Sequence, residues 1–138
     1  MATQRPVRVM DPFAREFWDY TQNKELRMQK CSDCGKWRWP AAAICDGCLS
    51  PNYAWEKVSG KGKVLSWIVF HRQYFPEYPA PHPAVTVELP EGPLFVCTMP
   101  PGFEGKDLKD GLDMELEWLD AEDRFGTYNL PVFKPAGR

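Results

Sequence analysis

Four cysteines carry the clearest chemistry in the chain: Cys31, Cys34, Cys45 and Cys48. They form two C-x2-C pairs separated by ten residues. Each pair puts two sulfurs on one tight turn, and the segment between is long enough to run out and return. Four thiolates on two facing turns make the tetrahedral cage that Zn2+ takes in closed structural sites. Gly35 follows the first pair and Gly47 lies inside the second. Glycine there lets backbone amides turn toward sulfur, where positive φ is common. Disulfides are the competing reading, but cysteines two residues apart pair poorly and five cysteines leave one over. A redox C-x-x-C needs one pair, not two. The spacing predicts structural Zn2+, whose task is to fold the segment. Zinc-binding energies of about 10–16 kcal/mol exceed what so few residues gain from a core. With all four positions filled by protein, no site remains for an activated water.

The remaining reactive side chains suggest no catalytic constellation. The chain has two histidines, His71 and His82. His71 ends an apolar run and reads as buried and hydrogen-bonded. His82 lies in a proline-rich stretch and reads as exposed or as an interface residue. Cys97 sits among Phe95, Val96 and Met99, and a buried apolar thiol has a raised pKa and is inert. Ser59 and Ser66 lack a nucleophile elbow. Asp120, Glu122 and Asp123 read as a solvated turn. No catalytic residue is expected.

Composition narrows the class. The 138 residues suffice for one ordinary domain plus a small module. Hydrophobics at 43% and aromatics at 14% support a packed core. No run of eighteen apolar residues suggests a transmembrane helix, and no leader or lipidation signal is visible, which points to the cytosol. Residues 1–60 carry nine basic and seven acidic side chains, and residues 61–138 carry eight and twelve. With a pI near 5.7, the chain lacks the basic patch of a nucleic-acid binder. Fourteen prolines cut it into short segments, which suits strands and loops.

The elements that must position these residues follow from local pattern. Residues 1–9 have no periodicity and read as a mobile tail or an arm on a partner. Asp11-Pro12 reads as N-cap and first helical position. Phe13, Phe17 and Tyr20, with Trp18 beside them, make an aromatic face on a helix of about 12 residues ending near Asn23. That face either packs on its own domain or docks on another protein. Leu26 and Met28 lead as a strand into Cys31. Trp37 and Trp39, between the cysteine pairs, either cover the ribbon or form a contact patch. Strands are expected at residues 55–59, at 64–71 as a central strand apolar on both faces, at 85–89, 94–98, 114–118 and 130–133. Residues 73–83 hold four prolines and three aromatics, a stiff greasy loop of the kind that binds something. A helical turn is expected around residues 107–109. The fold class is therefore mainly β: an N-terminal tail and helix (1–25), a rubredoxin-like zinc ribbon (26–52), and a five-stranded Greek-key barrel of OB-fold type (53–138).

Taken together, these pieces resemble the zinc-ribbon/OB-fold family associated with acyl-CoA metabolism, long known as a domain of unknown function. The resemblance runs from about Phe17 to Ala136. It includes Phe17-Trp18, the LRMQKCSDCG entry, Cys45 and Cys48, Trp55, and the Ser59-Gly60-x-Gly62 turn. It continues through Ser66-Trp67 and His71, then Val87-Glu88-Leu89-x-Glu91-Gly92, and the terminal Leu130-Pro131-x-Phe133-x-Pro135-Ala136. Members look like small partner subunits of thiolase-superfamily enzymes that make or break carbon–carbon bonds on acyl-CoA thioesters. The large partner holds the catalytic residues, and the small subunit contributes assembly and part of the substrate or CoA channel. The family often has Pro-Pro-Arg where this chain has Pro40-Ala41-Ala42, and Pro where it has Asp46. Without that arginine, no CoA-phosphate site is carried over to the ribbon.

The resulting expectation is an auxiliary, non-catalytic subunit of a heteromeric thiolase or acyl-CoA aldolase. Its partners would be a thiolase-like large subunit and an acyl-CoA, with no nucleic acid and no membrane. Phe17, Trp18, Trp37, Trp39, Arg72, Phe75 and Tyr78 are the expected partner or ligand contacts. The alternatives are a free-standing acyl-CoA carrier and a single-stranded nucleic-acid binder, the latter opposed by charge.

Overall fold

The computed structural model describes residues 2–138. One short strand and a helix come before the strands of the two main sheets. β1 (Thr3–Gln4) is followed by α1 (Pro12–Thr21), β2 (Arg27–Cys31), β3 (Trp37–Arg38) and β4 (Tyr53–Lys57). The barrel strands are β5 (Lys61–Phe70), β6 (His82–Glu88), β7 (Leu94–Cys97), β8 (Asp113–Asp123) and β9 (Gly126–Pro135), with a single 3-10 turn at Gly105–Asp107.

The helix begins as expected. Asp11 Oδ1 accepts the Ala14 amide at 2.8 Å, and Pro12 takes the first helical position, where a missing N–H costs nothing. Its aromatic face packs inward. Phe17 is buried at 4% exposure, with ring centroids of Trp18, Trp39 and Trp55 at 5.1, 4.8 and 6.5 Å. The aromatic face of the helix thus packs on its own chain. Glu16 fixes the helix to the ribbon: its carboxylate accepts Tyr53 Oη–H at 3.0 Å and Trp55 Nε1–H at 2.8 Å.

The ribbon is a three-stranded antiparallel sheet in the order β3-β2-β4. The strand expected at 55–59 runs Tyr53–Lys57 and pairs with β2, so it belongs to the ribbon sheet rather than to the barrel. The second sheet runs β1-β8-β5-β6-β7, with β9 on the other edge of β8. β5, β6 and β7 form an antiparallel meander, and β8 returns to β5 at residues 113–115. Val64, Val85, Val87, Phe95, Met114 and Phe133 point inward and are buried, as alternation demands. Gly62 lies where β5 crosses this core: a Cβ there would meet Val87 Cγ1 at 2.3 Å and the Glu88 carbonyl oxygen at 2.9 Å.

Four sequence expectations need correction. The central strand at 64–71 is central, but its outer face is not buried: Ile68 is 57% and Phe70 39% exposed, and His71 is exposed beyond the strand end. Past Val64 neither face is closed, since Leu65 is 46% and Trp67 37% exposed as well. The last strand is ten residues long, Gly126–Pro135, and forms a long hairpin with β8. Asp123 is not in a solvated turn. It ends β8 and holds Arg8 in a bidentate ion pair, Nε–Oδ2 2.8 Å and Nη2–Oδ1 3.2 Å, with the two side chains 6% and 0% exposed. The aperiodic segment 1–9 is correspondingly not a loose tail over its described part. Thr3 and Gln4 pair in parallel with Ala121 and Glu122, on β8 beyond the stretch that β5 occupies, and the Arg5 amide donates to the Glu122 carbonyl at 2.9 Å.

The Arg8–Asp123 pair sets an acid limit on stability. The Arg8 side chain pulls the Asp123 carboxyl from its ordinary 3.8 down to about 2, against the opposing effect of burial. A lowered folded-state pKa gives stability that is complete above the unfolded value and is lost as pH falls from about 4 toward about 2. Asp123→Asn should therefore cost about 3–5 kcal/mol at neutral pH by leaving Arg8 unpaired, and should flatten the acid limb of a urea-midpoint series between those pH values. Gly62→Ala should cost about 1–3 kcal/mol in the same assay, because neither the Val87 methyl nor a backbone oxygen can retreat freely.

Candidate functional site: a four-cysteine centre and the aromatic cavity beside it

The two cysteine pairs occupy matching turns. The Cys31 amide donates to the Lys36 carbonyl at 2.8 Å and the Gly35 amide to the Cys31 carbonyl at 3.0 Å. In the second turn the Cys45 amide donates to the Ser50 carbonyl at 2.9 Å and the Leu49 amide to the Cys45 carbonyl at 2.9 Å. The residue after each pair is left-handed: Gly35 at φ +79° and Leu49 at φ +64°. Sequence reasoning assigned the second such position to Gly47. Its amide does point at Cys45 Sγ, 3.3 Å away, but the positive φ falls on a leucine.

The four Sγ atoms lie within 4.8 Å of one another, with Cys31–Cys48 at 3.5 Å and Cys34–Cys45 at 3.6 Å, and none is in a disulfide. A regular ZnS4 tetrahedron with bonds of about 2.3 Å has edges of about 3.8 Å, so the spacing fits the ion. The donors also fit it electrically. The Cys34 amide, helped by that of Asp33 and opposed by burial, draws the Cys31 thiol down to about 6. At Cys48 the Ser50 amide favours the thiolate, but Cys31, burial and the other sulfurs outweigh it and push the thiol up to about 12. Amides thus prepare negative charge that four neighbouring sulfurs cannot all carry alone, and a divalent cation resolves the conflict. Zn2+ held by Cys31, Cys34, Cys45 and Cys48 supplies a cross-link between the two turns. Around it, Asp33 accepts from Ser50 Oγ and from Asn52 Nδ2, the latter at 3.1 Å, and the buried Arg38 donates to the Ala42 and Ser50 carbonyls at 3.2 and 3.3 Å. Asp46 is ion-paired with Lys36 at 2.9 Å.

Beside the ribbon lies a cavity of about 870 Å³, within the size range of ligand pockets. It sits on the seam between β7 and β9, which no ladder joins among the described residues. Residues 95–98 and 130–132 form its floor, and Trp39, Pro40 and Ala41 of the ribbon form one wall. Arg8, Val9, Phe17 and Trp18 form another, and Phe70, Arg72, Phe75, Tyr78 and His82 a third. The third wall is ordered by ring contacts: Arg5 over Tyr78 at 4.9 Å, Tyr78 against His82 at 4.6 Å, and His82 stacked on Phe70 at 6.3 Å. Burial, and then the Arg5 charge, hold the His82 imidazole below its ordinary pKa.

Two family models match the chain: a ChsH2 rubredoxin-like zinc ribbon domain over residues 18–54 and a ChsH2 C-terminal OB-fold domain over residues 55–118. The chain belongs to the ChsH2/DUF35 family. A solved structure called the Ltp2-ChsH2(DUF35) aldolase contains a chain of like fold, with TM-score 0.82, 30% identity, and 96% of this chain and 99% of that one covered. A "DUF35 domain-containing scaffold protein" of Pyrococcus furiosus is 33% identical over 72% of this chain and 74% of its own. A "probable enoyl-CoA hydratase alpha subunit" of Thermomonospora curvata is 31% identical over 87% of this chain, which spans 37% of that protein's length. A DUF35-family structure from Sulfolobus solfataricus, at 19% identity and TM-score 0.56, shares the fold.

Within this ChsH2-type chain the expected contact residues divide. Six of the seven line the one cavity: Phe17, Trp18, Trp39, Arg72, Phe75 and Tyr78. Trp37 stands apart on β3, half-buried, with Lys30 Nζ 5.4 Å above its ring. Sequence reasoning missed Arg5, Arg8 and Val9, since an aperiodic segment gives no sign of which wall it completes. Cys97 reaches the cavity floor, where burial pushes its thiol up to about 12 despite the Phe133 amide. No helix is long and apolar enough to cross a membrane among the described residues.

Removing the metal should be visible at a distance from it. Chelation, or Cys45→Ser, should release one equivalent of zinc and change the near-ultraviolet circular dichroism of Trp39 and Trp55, while far-ultraviolet barrel signal persists. Unchanged aromatic signal after complete zinc loss would show that the ribbon orders itself without the ion.

Proposed function

We propose that the protein is an auxiliary, non-catalytic subunit of a heteromeric enzyme of the thiolase superfamily, a thiolase or an aldolase acting on a carbon–carbon bond of an acyl-CoA thioester. The observation that carries this reading is the likeness to the chain of the Ltp2-ChsH2(DUF35) aldolase, which extends over 96% of the chain and therefore over helix, ribbon and barrel together. A relative named as a scaffold and another named as a subunit support the same role. In this role the protein sits in the cytoplasm as part of a hetero-oligomer with a thiolase-like large subunit, which holds the reacting groups.

The chain's own surface supports a docking role. Val9, Ile68, Tyr74, Phe75 and Val96 are 54–75% exposed, and all of them but Ile68 line the cavity. Exposed apolar groups gathered this way mark interaction surfaces. Cys97, the buried thiol, is held protonated and is a poor nucleophile. The acyl-CoA would pass along the cavity side of the subunit, with its phosphates away from the ribbon, where Asp46 already takes Lys36.

Co-expression with the thiolase-like chain of the same host should give one complex on size exclusion, and acyl-CoA cleavage or condensation should require both chains. Turnover by this chain alone, or a large subunit fully active and stable without it, would overturn the proposal. Phe75→Asp together with Tyr74→Asp should weaken co-elution at least about tenfold while leaving zinc content unchanged.

A further inference from the structure

We infer that the cavity on the β7–β9 seam is a ligand site of this chain in its own right, for a compact, ring-bearing apolar body that carries one negative group. This goes beyond the subunit role, since every wall comes from one chain.

Three observations carry the inference. The walls are aromatic: Phe17, Trp18, Trp39, Phe70, Tyr78 and Phe95 all face the same space. Such rings pair by edge and face with flat apolar groups, with a gain beyond simple burial. The walls are also held in place. Trp39 is braced between Phe17 at 4.8 Å and Phe95 at 5.4 Å, and Trp18 is braced by Phe17 at 5.1 Å and Tyr128 at 5.2 Å. A site whose walls are already ordered spends little conformational freedom on binding.

The third observation is charge. Arg72 lies in the wall and Arg5 behind Tyr78, and neither has an acidic ion-pair partner among the described residues. Arg8 is already committed to Asp123. Asp11, the acid in the lining, keeps its negative charge but turns it to the helix start, where it accepts the Ala14 amide. His82 is held toward its neutral form. The uncommitted charge at the cavity is thus positive, which complements an anion. An inserted peptide would bring an N–H and a C=O for every residue, and the mostly apolar walls have few groups to meet them. A compact body with one charged end makes one such demand. A carboxylate on a ring-bearing body has this chemistry.

The test uses the full zinc-loaded chain without a partner. Two dyes are titrated: the anionic 8-anilinonaphthalene-1-sulfonate and the neutral N-phenyl-1-naphthylamine. Both should bind saturably, one per chain, with quenching of tryptophan emission. Arg72→Ala should weaken the anionic dye about fivefold and the neutral dye less than twofold. Thr98→Phe on the floor and Ala41→Phe on the ribbon wall should each abolish both, judged on whichever variant keeps its zinc and its thermal transition. Displacement by 2-naphthoate supports a carboxylate on a ring-bearing body as the ligand class, and displacement by 2-naphthoyl-CoA with none by the acid would overturn the inference. Non-saturable binding, binding indifferent to both filling variants, displacement by neither competitor, or dye sites that vanish as a second copy associates would overturn the inference. Failure here leaves the two-chain activity test untouched, so the two readings fail separately.

Discussion

The structure depends on four sulfurs being held against their mutual repulsion. The ribbon strands are five, two and five residues long. Strands this short do not sustain a sheet in isolation. The cage ties their connecting turns into one object, and that object carries Trp39. From there order passes by contact: Trp39 meets Phe17 of the helix and Phe95 of the barrel. A metal with no open coordination position thereby shapes a cavity that it does not touch.

The helix is the second link. It makes a cap at one end and a pair of hydrogen bonds from Glu16 to β4 along its length. A ten-residue helix is marginal alone. Here its aromatic face is consumed by the ribbon and by β9, and its polar edge is spent on Tyr53 and Trp55. Burial, and then the Glu16 carboxylate, raises the Tyr53 phenol, so that the hydroxyl stays a donor. Ribbon, helix and barrel share one hydrophobic cluster that includes Phe17, Met28, Val64 and Phe133. Division of the chain into modules is clear in sequence and much less so in packing.

Much of this was legible in the residues themselves, for a physical reason in each case. Cysteine spacing specifies a coordination geometry directly. Alternation at Val85, Val87 and Leu89 specifies a half-buried strand because the pleat has a period of two. Asp11-Pro12 specifies a helix start because Asp11 can accept a free amide of the first turn and Pro12 has no N–H to leave unpaired there. The failures share a different cause: they concern pairings between distant residues. Nothing near Asp123 announces an arginine more than a hundred positions earlier, so an acidic run looked like solvent-facing turn. Nothing local tells Tyr53–Lys57 to join β2 instead of the barrel. The outer face of β5 leaves Ile68 more than half exposed, and an apolar face reads as buried until the neighbours are known. The aromatic residues were recognisable as a set, whereas their convergence on one space needed the third dimension.

The parallel seat of β1 on β8 has a consequence for how the molecule is made. Thr3 lies against Ala121, so this segment must wait for one made more than a hundred residues later before it can dock. Until the β8–β9 hairpin emerges, a ribosome-bound chain offers Arg8 no Asp123 to pair with. The arm is therefore a late event in assembly, and the cavity wall it supplies comes into being only once the hairpin has left the exit tunnel.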